Sequence, residues 1–205
     1  MTKDVAKIFL DPFIKACNDV GARFYVLQGT CLGVVRGEGF VKTDPDIDVG
    51  VFEEDWTDEI LEKILESGEL IIHRARKIGW QEWMFNKIDR NKDGCYSIID
   101  IVPNGRKNDT ARTPYPCMDI HIPMKGVDSY HWFSGYQNIM HRIPSQFFEG
   151  DFKEEVLEDW KVKILPKAEE YLEWWYGEDW RTPMTKDQYV GKAVMKRYNI
   201  WTVKK

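Results

Sequence analysis

The hydrophobic pattern predicts helices alternating with strands in most of the chain, and a last third that is mainly helical. Apolar residues at helical spacing predict a helix at the start, a second or kinked helix over 11–18, and helices over 56–67 and 166–177. Short apolar or alternating runs predict strands. These are 23–28, Asp46–Val51, 70–75, 81–88, 95–102 and 118–123, with a turn over 91–94. The pattern predicts an α/β (α+β) fold: a mixed β-sheet flanked by helices, with a helical C-terminal part.

Length and composition favour one folded domain. The 205 residues predict a single domain over 1–205, with a core at about 20–125 and the helical portion at about 126–205. A net charge of −5 argues against non-specific nucleic-acid binding. No apolar run reaches membrane-span length, the start lacks the apolar core of a signal peptide, and the four cysteines show no CxxC spacing. We therefore expect a cytoplasmic protein with no nucleic-acid partner and no membrane span.

The strongest chemical signal is a run of alternating carboxylates that enters an apolar strand. Asp44, Asp46 and Asp48 occupy every second position, so an extended chain projects them to one side. Two strand rises separate the Cα atoms of Asp46 and Asp48 by roughly 6.5–7 Å. Carboxylates this close repel one another unless a cation lies between them, and Mg²⁺ or Mn²⁺ suits such oxygen ligands. The alternative is an acidic turn that caps a strand.

A glycine turn upstream supplies candidate phosphate ligands. Gly29 and Thr30 follow a predicted strand and open a helix, whose free N–H groups and dipole favour phosphate. Arg36, six residues further on, and Lys42 carry charges that also suit a phosphate. An ordinary strand-to-helix turn and a solvated arginine are the alternatives.

Two segments resemble the motifs of a known family. Residues 29–51, GTCLGVVRGEGFVKTDPDIDVGV, resemble the LicD/fukutin signature G-T-L-L-G-x-x-R-x-x-G-F-I-P-W-D-x-D-I-D. Residues 171–183, YLEWWYGEDWRTP, are similar to the family's Y-L-x-x-x-Y-G-x-D-W-x-x-P. The family's Pro-Trp before the carboxylates is replaced by Lys42-Thr43, and Pro45 interrupts the acidic run.

The resemblance implies a nucleotidyltransferase-like fold and a metal-dependent enzyme. That enzyme moves a phospho-alcohol, phosphocholine or a polyol phosphate, from a CDP-linked donor to a glycan hydroxyl. The resemblance also implies a third carboxylate on a later strand, for which we predict Asp119, with Asp100 as the alternative. The predicted catalytic residues are Asp46, Asp48 and Asp119; the predicted metal ligands are these three with Asp44; the predicted substrate-binding residues are Gly29, Thr30, Arg36 and Lys42.

Three other interpretations compete with parts of this prediction. The same carboxylates suit direct nucleotidyl transfer from an NTP to a small molecule or protein. Residues 89–100 resemble an EF-hand loop and so offer calcium binding, although Asp100 stands where the bidentate Glu belongs and a β-hairpin turn is favoured. The rings at 174–176 and Trp180 suit either the core or a cage for a quaternary ammonium group, and we favour the core. For His121, two residues from Asp119, a structural or exposed role is favoured, and a place in the lining of the site is the alternative.

Overall fold

The computed structural model describes residues 1–77, 95–106, 116–134, 139–184 and 201–202. The predicted strand over 81–88 and the turn over 91–94 lie outside these residues. The helices are α1 (Lys3–Val20), α2 (Gln28–Arg36), α3 (Asp58–Leu65) and α4 (Ala168–Tyr176). The strands are β1 (Phe24–Val26), β2 (Asp46–Val51), β3 (Leu70–Lys77), β4 (Tyr96–Pro103), β5 (Cys117–His121), β6 (Met124–Lys125), β7 (Ser129–Ser134), β8 (Ile139–Pro144), β9 (Lys153–Leu157), β10 (Trp160–Ile164) and β11 (Trp201–Thr202).

A five-stranded mixed sheet forms the centre of the described fold. Its order is β1-β2-β5-β4-β3. The central pair β2–β5 is parallel, and the other neighbours are antiparallel. The residues at 47–51 of β2 are all buried, as expected of a strand covered on both faces. The mixed sheet with flanking helices confirms the predicted α/β class.

Helix α1 passes through Pro12 without ending, where the sequence predicted a second or kinked helix. Its buried residues form one continuous stripe on both sides of the proline. They are Ala6, Phe9, Leu10, Phe13, Ala16 and Cys17. This stripe packs against α3 among other elements, and the burial outweighs the roughly 3 kcal/mol by which proline disfavours a helix interior. The helix ends as predicted at Gly21, whose φ of 73° is left-handed.

Where the structure describes it, the C-terminal portion is less helical than the sequence predicted. The helix over 166–177 is confirmed as α4, but it follows two antiparallel hairpins, β7–β8 and β9–β10. In β10 the side chains alternate, with Val162 and Ile164 buried and Lys161 and Lys163 exposed. This period of two is the signal of a half-buried strand.

We expect Gly50→Ala to destabilise the sheet. Gly50 of β2 pairs with Tyr25 of β1, and a Cβ atom at position 50 would overlap the Tyr25 ring. Overpacking of this kind costs about 1–3 kcal/mol of unfolding free energy, measurable by urea denaturation. The double variant Gly50→Ala/Tyr25→Leu should lose less unfolding free energy than the two single variants lose in sum. The reason is that the smaller leucine side chain makes room for the methyl group of the introduced alanine. Full stability of Gly50→Ala alone would contradict this close packing.

Candidate active site

Four polar residues form one row across four neighbouring strands. Asp48 of β2 pairs with Asp119 of β5, Asp119 pairs with Asp100 of β4, and Asp100 pairs with Arg74 of β3. Residues directly opposite one another in a sheet project to the same face, so this row presents three carboxylates and one guanidinium together.

Two more side chains join the row because strand residues two apart share a face. Asp46 precedes Asp48 by two positions on β2, and His121 follows Asp119 by two positions on β5. The structure thus brings Asp46, Asp48 and Asp119 together as the sequence suggested. Asp100, considered there as the alternative to Asp119, lies beside it, so the two competing segments are adjacent strands of one centre.

Asp48 is held in this centre through both its backbone and its side chain. Its residue is only 6% exposed, its backbone N–H donates to Thr30 Oγ1 at 2.9 Å, and its side chain accepts a hydrogen bond from the Gly29 N–H. The distance from its Oδ1 atom to His121 Nε2 is 3.1 Å. Gly29 and Thr30, predicted as phosphate ligands, therefore hold Asp48 in place here; a phosphate contact for them stays a prediction.

Gly29 is required for the close approach of α2 to the carboxylates. A Cβ atom at this position would overlap the carboxylate of Asp44 and come within 3.8 Å of Asp48 Oδ2. Two carboxylates therefore flank a backbone site that only glycine leaves open. Asp44 itself lies in the turn before β2, where its N–H donates to the Val41 carbonyl at 3.0 Å.

Gln28 connects the start of α2 to Tyr171 of the second motif and to His121. Its φ of 42° lies in the left-handed region, which is costly for a residue other than glycine and typical of functional sites. Its backbone N–H donates to the hydroxyl of Tyr171 in α4 at 3.2 Å, and its side-chain Nε2 lies 3.2 Å from His121 Nε2. The second motif therefore supports the first through this residue.

Burial and repulsion shape the electrostatics of the centre. Burial raises the pKa of Asp48 well above its usual value, and the charge of Asp46 adds to that rise. Burial also raises the pKa of Asp119, as do the charges of Asp100 and Asp48, while Arg74 opposes the rise. Burial lowers the pKa of His121 to about 4, so its imidazole is neutral at pH 7. The centre holds more negative charge than its arginine neutralises.

Arg74 neutralises the carboxylate at the edge of the row. Its Nε donates to Asp100 Oδ2 at 2.5 Å, and its Nη2 donates to the same oxygen. Asp100 is 2% exposed, so this ion pair is largely shielded from water on the carboxylate side. Arg74 thereby holds Asp100 in place beside Asp119.

The residues fit a divalent cation. Ligand atoms of Asp48, Asp119 and His121 all lie within 4.8 Å of one another. Asp46 Oδ1 and Asp100 Oδ1 are buried and have no hydrogen-bond partner among the described residues. Asp44 and Asp46, also predicted as ligands, are outside the group of three. Unpaired buried carboxylate oxygens are costly, and a cation at this position would neutralise them.

Arg36 and Lys42, both predicted to bind phosphate, lie outside this cluster. Arg36 is at the far end of α2, six residues or about 9 Å of helix from Thr30. Its Nη2 donates to the carbonyl of Trp180 and, at 3.0 Å, to that of Thr182. This contact connects α2 to the second motif through one nitrogen of the guanidinium, and the phosphate role of Arg36 stays a prediction. Lys42 is exposed in the segment before β2, and its phosphate role stays a prediction.

The aromatic residues of the second motif pack in the core. Trp175 stacks on Trp132 with ring centroids 6.1 Å apart and an interplanar angle of 14°, and Trp180 is 2% exposed. Trp132 in turn contacts His121, with ring centroids 5.4 Å apart. The core interpretation of Trp175 and Trp180 is confirmed, and this core supports the His121 side of the candidate site.

The described part of the proposed calcium loop does not have EF-hand geometry. Residues 89–94 lie outside the described residues. Tyr96–Pro103 form β4, where an EF-hand would lead into a helix. Asp100, the last position of that loop, belongs instead to the carboxylate row, so calcium binding by 89–100 is not favoured.

Sequence reasoning missed Gln28 and Arg74 entirely. His121 carried a usable signal, because Asp119-Ile-His121 repeats the every-second-position pattern of Asp46-Ile-Asp48. Gln28 lacks such a signal, since its role depends on backbone geometry. Arg74 is opposite Asp100 only after the register shift between Ile72 and Arg74, which the pattern does not encode.

The mixed sheet and its carboxylate row beside a helix start agree with the predicted nucleotidyltransferase-like class. Residues 21–117 match the family model of the LicD/FKTN/FKRP nucleotidyltransferase domain, which confirms the resemblance to the LicD/fukutin family for this segment.

Similar proteins include two mammalian transferases. The ribitol-5-phosphate transferase FKTN of Mus musculus is 33% identical over 73 residues, which cover 36% of this chain and 16% of that protein. Its Homo sapiens counterpart is 30% identical over the same length and shares. The match thus spans about a sixth of these relatives. A crystal structure of lincosamide antibiotic adenylyltransferase LnuA, lincomycin-bound, is similar with a TM-score of 0.43 and 17% identity over 84% of each chain.

Among the helices that the structure describes, none combines the length and apolarity needed to cross a bilayer.

We expect Arg36→Met to destabilise the protein by about 1–3 kcal/mol, because it removes charged hydrogen bonds to two carbonyls while keeping the aliphatic stem. Urea denaturation measures the loss. The control is Arg181→Met, on the segment whose carbonyls Arg36 contacts. Arg181 pairs with Glu169 at an exposed position, so its removal should cost less than about 1 kcal/mol. Unchanged stability of Arg36→Met would contradict this structural role, and weaker nucleotide binding in the same variant would support the predicted phosphate role of Arg36.

We expect Asp119→Asn to stabilise the chelator-treated protein more at pH 8 than at pH 5. The raised pKa means that folded Asp119 binds more protons than unfolded Asp119 above pH 4, so its contribution to stability falls as pH rises towards the folded pKa. Asn removes this penalty, and each kcal/mol relieved raises Tm by about 2–4 °C. Thermal unfolding at both pH values measures it, with Asp151→Asn at an exposed loop position as the control. An equal change in Tm at the two pH values would contradict the repulsion.

Proposed function

We propose that this chain is a metal-dependent transferase that moves a phospho-alcohol from a CDP-linked donor to a glycan hydroxyl. The observation that carries the proposal is the row of Asp48, Asp119 and Asp100 on one sheet face, with Asp46 beside it. The match of residues 21–117 to the LicD/FKTN/FKRP domain supports the reaction class.

A polyol phosphate is the favoured transferred group. The mammalian relatives carry the name ribitol-5-phosphate transferase, which supports a polyol phosphate such as ribitol 5-phosphate. Phosphocholine is less favoured, because Trp175 and Trp180 are buried in the core rather than arranged around an open cage.

The cation would be held by Asp48 and Asp119, with Asp46 and Asp44 adjacent. Mg²⁺ or Mn²⁺ would neutralise negative charge on the oxygens of the donor diphosphate, including those on the phosphorus under attack. Contacts within the protein position the carboxylates around the cation. Gly29 and Thr30 fix the orientation of Asp48, and Arg74 holds Asp100 beside Asp119. Lys42 is exposed just before the carboxylates, and we propose that its ammonium group binds oxygens of the donor diphosphate.

Asp119 is the proposed proton acceptor. It is half-buried rather than fully buried, which leaves part of it open to an acceptor hydroxyl. In the proposed step the acceptor oxygen forms a bond to the phosphorus that carries the alcohol. The bond from that phosphorus to the bridging oxygen breaks, CMP leaves with the electron pair, and the hydroxyl proton passes to Asp119. Most of the rate enhancement in such transfers comes from positioning and electrostatics.

The test is CMP release from CDP-ribitol in the presence of a glycan acceptor and Mg²⁺ or Mn²⁺. Asp46→Asn should lower the rate by more than about 100-fold, because removing several kcal/mol of charge stabilisation has that effect. Asp151→Asn is the matched control, since it makes the same change at an exposed loop position. Circular dichroism checks that both variants remain folded.

Calorimetry with CDP-ribitol, CDP-choline, CTP and ATP separates the donor classes. Cation-dependent binding of one CDP-alcohol supports the proposal, and binding of nucleoside triphosphates alone would replace it with nucleotidyl transfer. An absence of nucleotide binding with any cation would contradict both.

A further inference from the structure

His121 is placed among the carboxylates in the manner of a ligand. It is 3% exposed, and its side chain shares a sheet face with Asp119 and Asp48. A buried histidine is more often a satisfied core residue, but the nitrogen of this one faces carboxylates: Nε2 lies 3.1 Å from Asp48 Oδ1. Neighbouring ligands on an octahedral ion with bonds of about 2.1 Å are separated by about 3.0 Å, which this spacing matches.

Two neighbours compete for the same nitrogen. Gln28 Nε2 and Asp48 Oδ1 lie 3.2 Å and 3.1 Å from His121 Nε2. If Nε2 has a proton, it donates to Asp48 and leaves the Gln28 amide N–H without an acceptor there. If Nε2 has a lone pair, it accepts from Gln28, but it then faces a carboxylate lone pair. A cation bound to Nε2 and Oδ1 removes the repulsion between the two lone pairs, and it takes the place of the Gln28 N–H on the single lone pair of Nε2.

The imidazole is also held in position before any ion binds. Its ring packs edge-on against Trp132, which is fully buried and stacked on Trp175. The orientation of the ring depends on this packing, because its other nitrogen, Nδ1, is buried and has no hydrogen-bond partner among the described residues. Reorientation of His121 away from the carboxylates would require repacking of this aromatic core.

We propose that His121 is a direct ligand of the cation at this centre, together with Asp48 and Asp119, and that the centre therefore prefers a transition-metal ion such as Mn²⁺ over Mg²⁺. Imidazole nitrogen binds first-row transition ions, of which Mn²⁺ has the lowest affinity and is the one that also suits carboxylates, whereas Mg²⁺ is held by oxygen ligands. The inference rests on the proposed function only in that both need a cation among these carboxylates; it specifies the ligand set and the ion.

The experiment uses Mn²⁺ alone with the full chain. Electron paramagnetic resonance counts bound Mn²⁺, and electron spin-echo modulation detects a directly coordinated imidazole by its ¹⁴N frequencies. The wild-type protein should show this ¹⁴N modulation, and at least about a tenfold excess of Mg²⁺ should be needed to displace half of the Mn²⁺. His121→Asn should lose the ¹⁴N signal and weaken Mn²⁺ binding by about tenfold or more, with a smaller change for Mg²⁺. His73→Asn, at an exposed position of β3, is the control and should behave as wild type.

If His121→Asn does not fold, the ¹⁴N modulation of the wild-type protein alone decides whether an imidazole is a direct ligand of the cation. Bound Mn²⁺ without ¹⁴N modulation, equal displacement by Mg²⁺, or no Mn²⁺ binding would each overturn the ligand assignment. None of these results contradicts the transferase proposal, which depends on CMP release. Conversely, a ¹⁴N signal without CMP release under any cation would leave the metal centre standing and overturn the reaction.

Discussion

The repulsion among carboxylates on one face of the central sheet is the constraint on which the candidate site depends. Asp46, Asp48, Asp100 and Asp119 are closer together than free carboxylates would remain, and burial adds to the cost of their charge. The fold offsets that cost locally. The start of α2 donates the Gly29 N–H to Asp48, and Arg74 pairs with Asp100. The orphaned oxygens of Asp46 and Asp100 are what these protein contacts leave unbalanced.

The two sequence motifs act as one structural unit. They are far apart in the chain, but α4 reaches the start of α2 through the Tyr171–Gln28 hydrogen bond, and the segment after α4 reaches its end through Arg36. Helix α2 is thus held at both ends, which fixes the backbone that orients Asp48. Residues near the C-terminal end of the described fold therefore influence the centre without touching its carboxylates.

The sequence predicted the elements of the site better than their mutual arrangement. The alternation of Asp46 and Asp48 and the apolar run after them are local, so β2 and its polar edge are predictable. The choice between Asp119 and Asp100 depended on which strand lies next to β2, and the answer involves both, because β5 lies between β2 and β4. The contacts of Arg36 were not predictable from composition, since a guanidinium binds carbonyls as readily as phosphate. The alternation in β10 indicates a strand. The longer helical repeat of α4, which follows it, led to a helical prediction for the whole C-terminal portion.

The parallel pairing of β2 with β5 has a consequence for the folding pathway. Asp48 and Asp119 become neighbours only when the chain has closed a long loop that contains α3, β3 and β4. Closing that loop costs chain entropy before any contact compensates it, so this pairing belongs to the slow, non-local part of folding. Partly folded forms in which β5 is undocked keep the first acidic motif intact but have no complete centre. The grouping of Asp48 with Asp119 therefore forms in one late step, together with the assembly of the sheet.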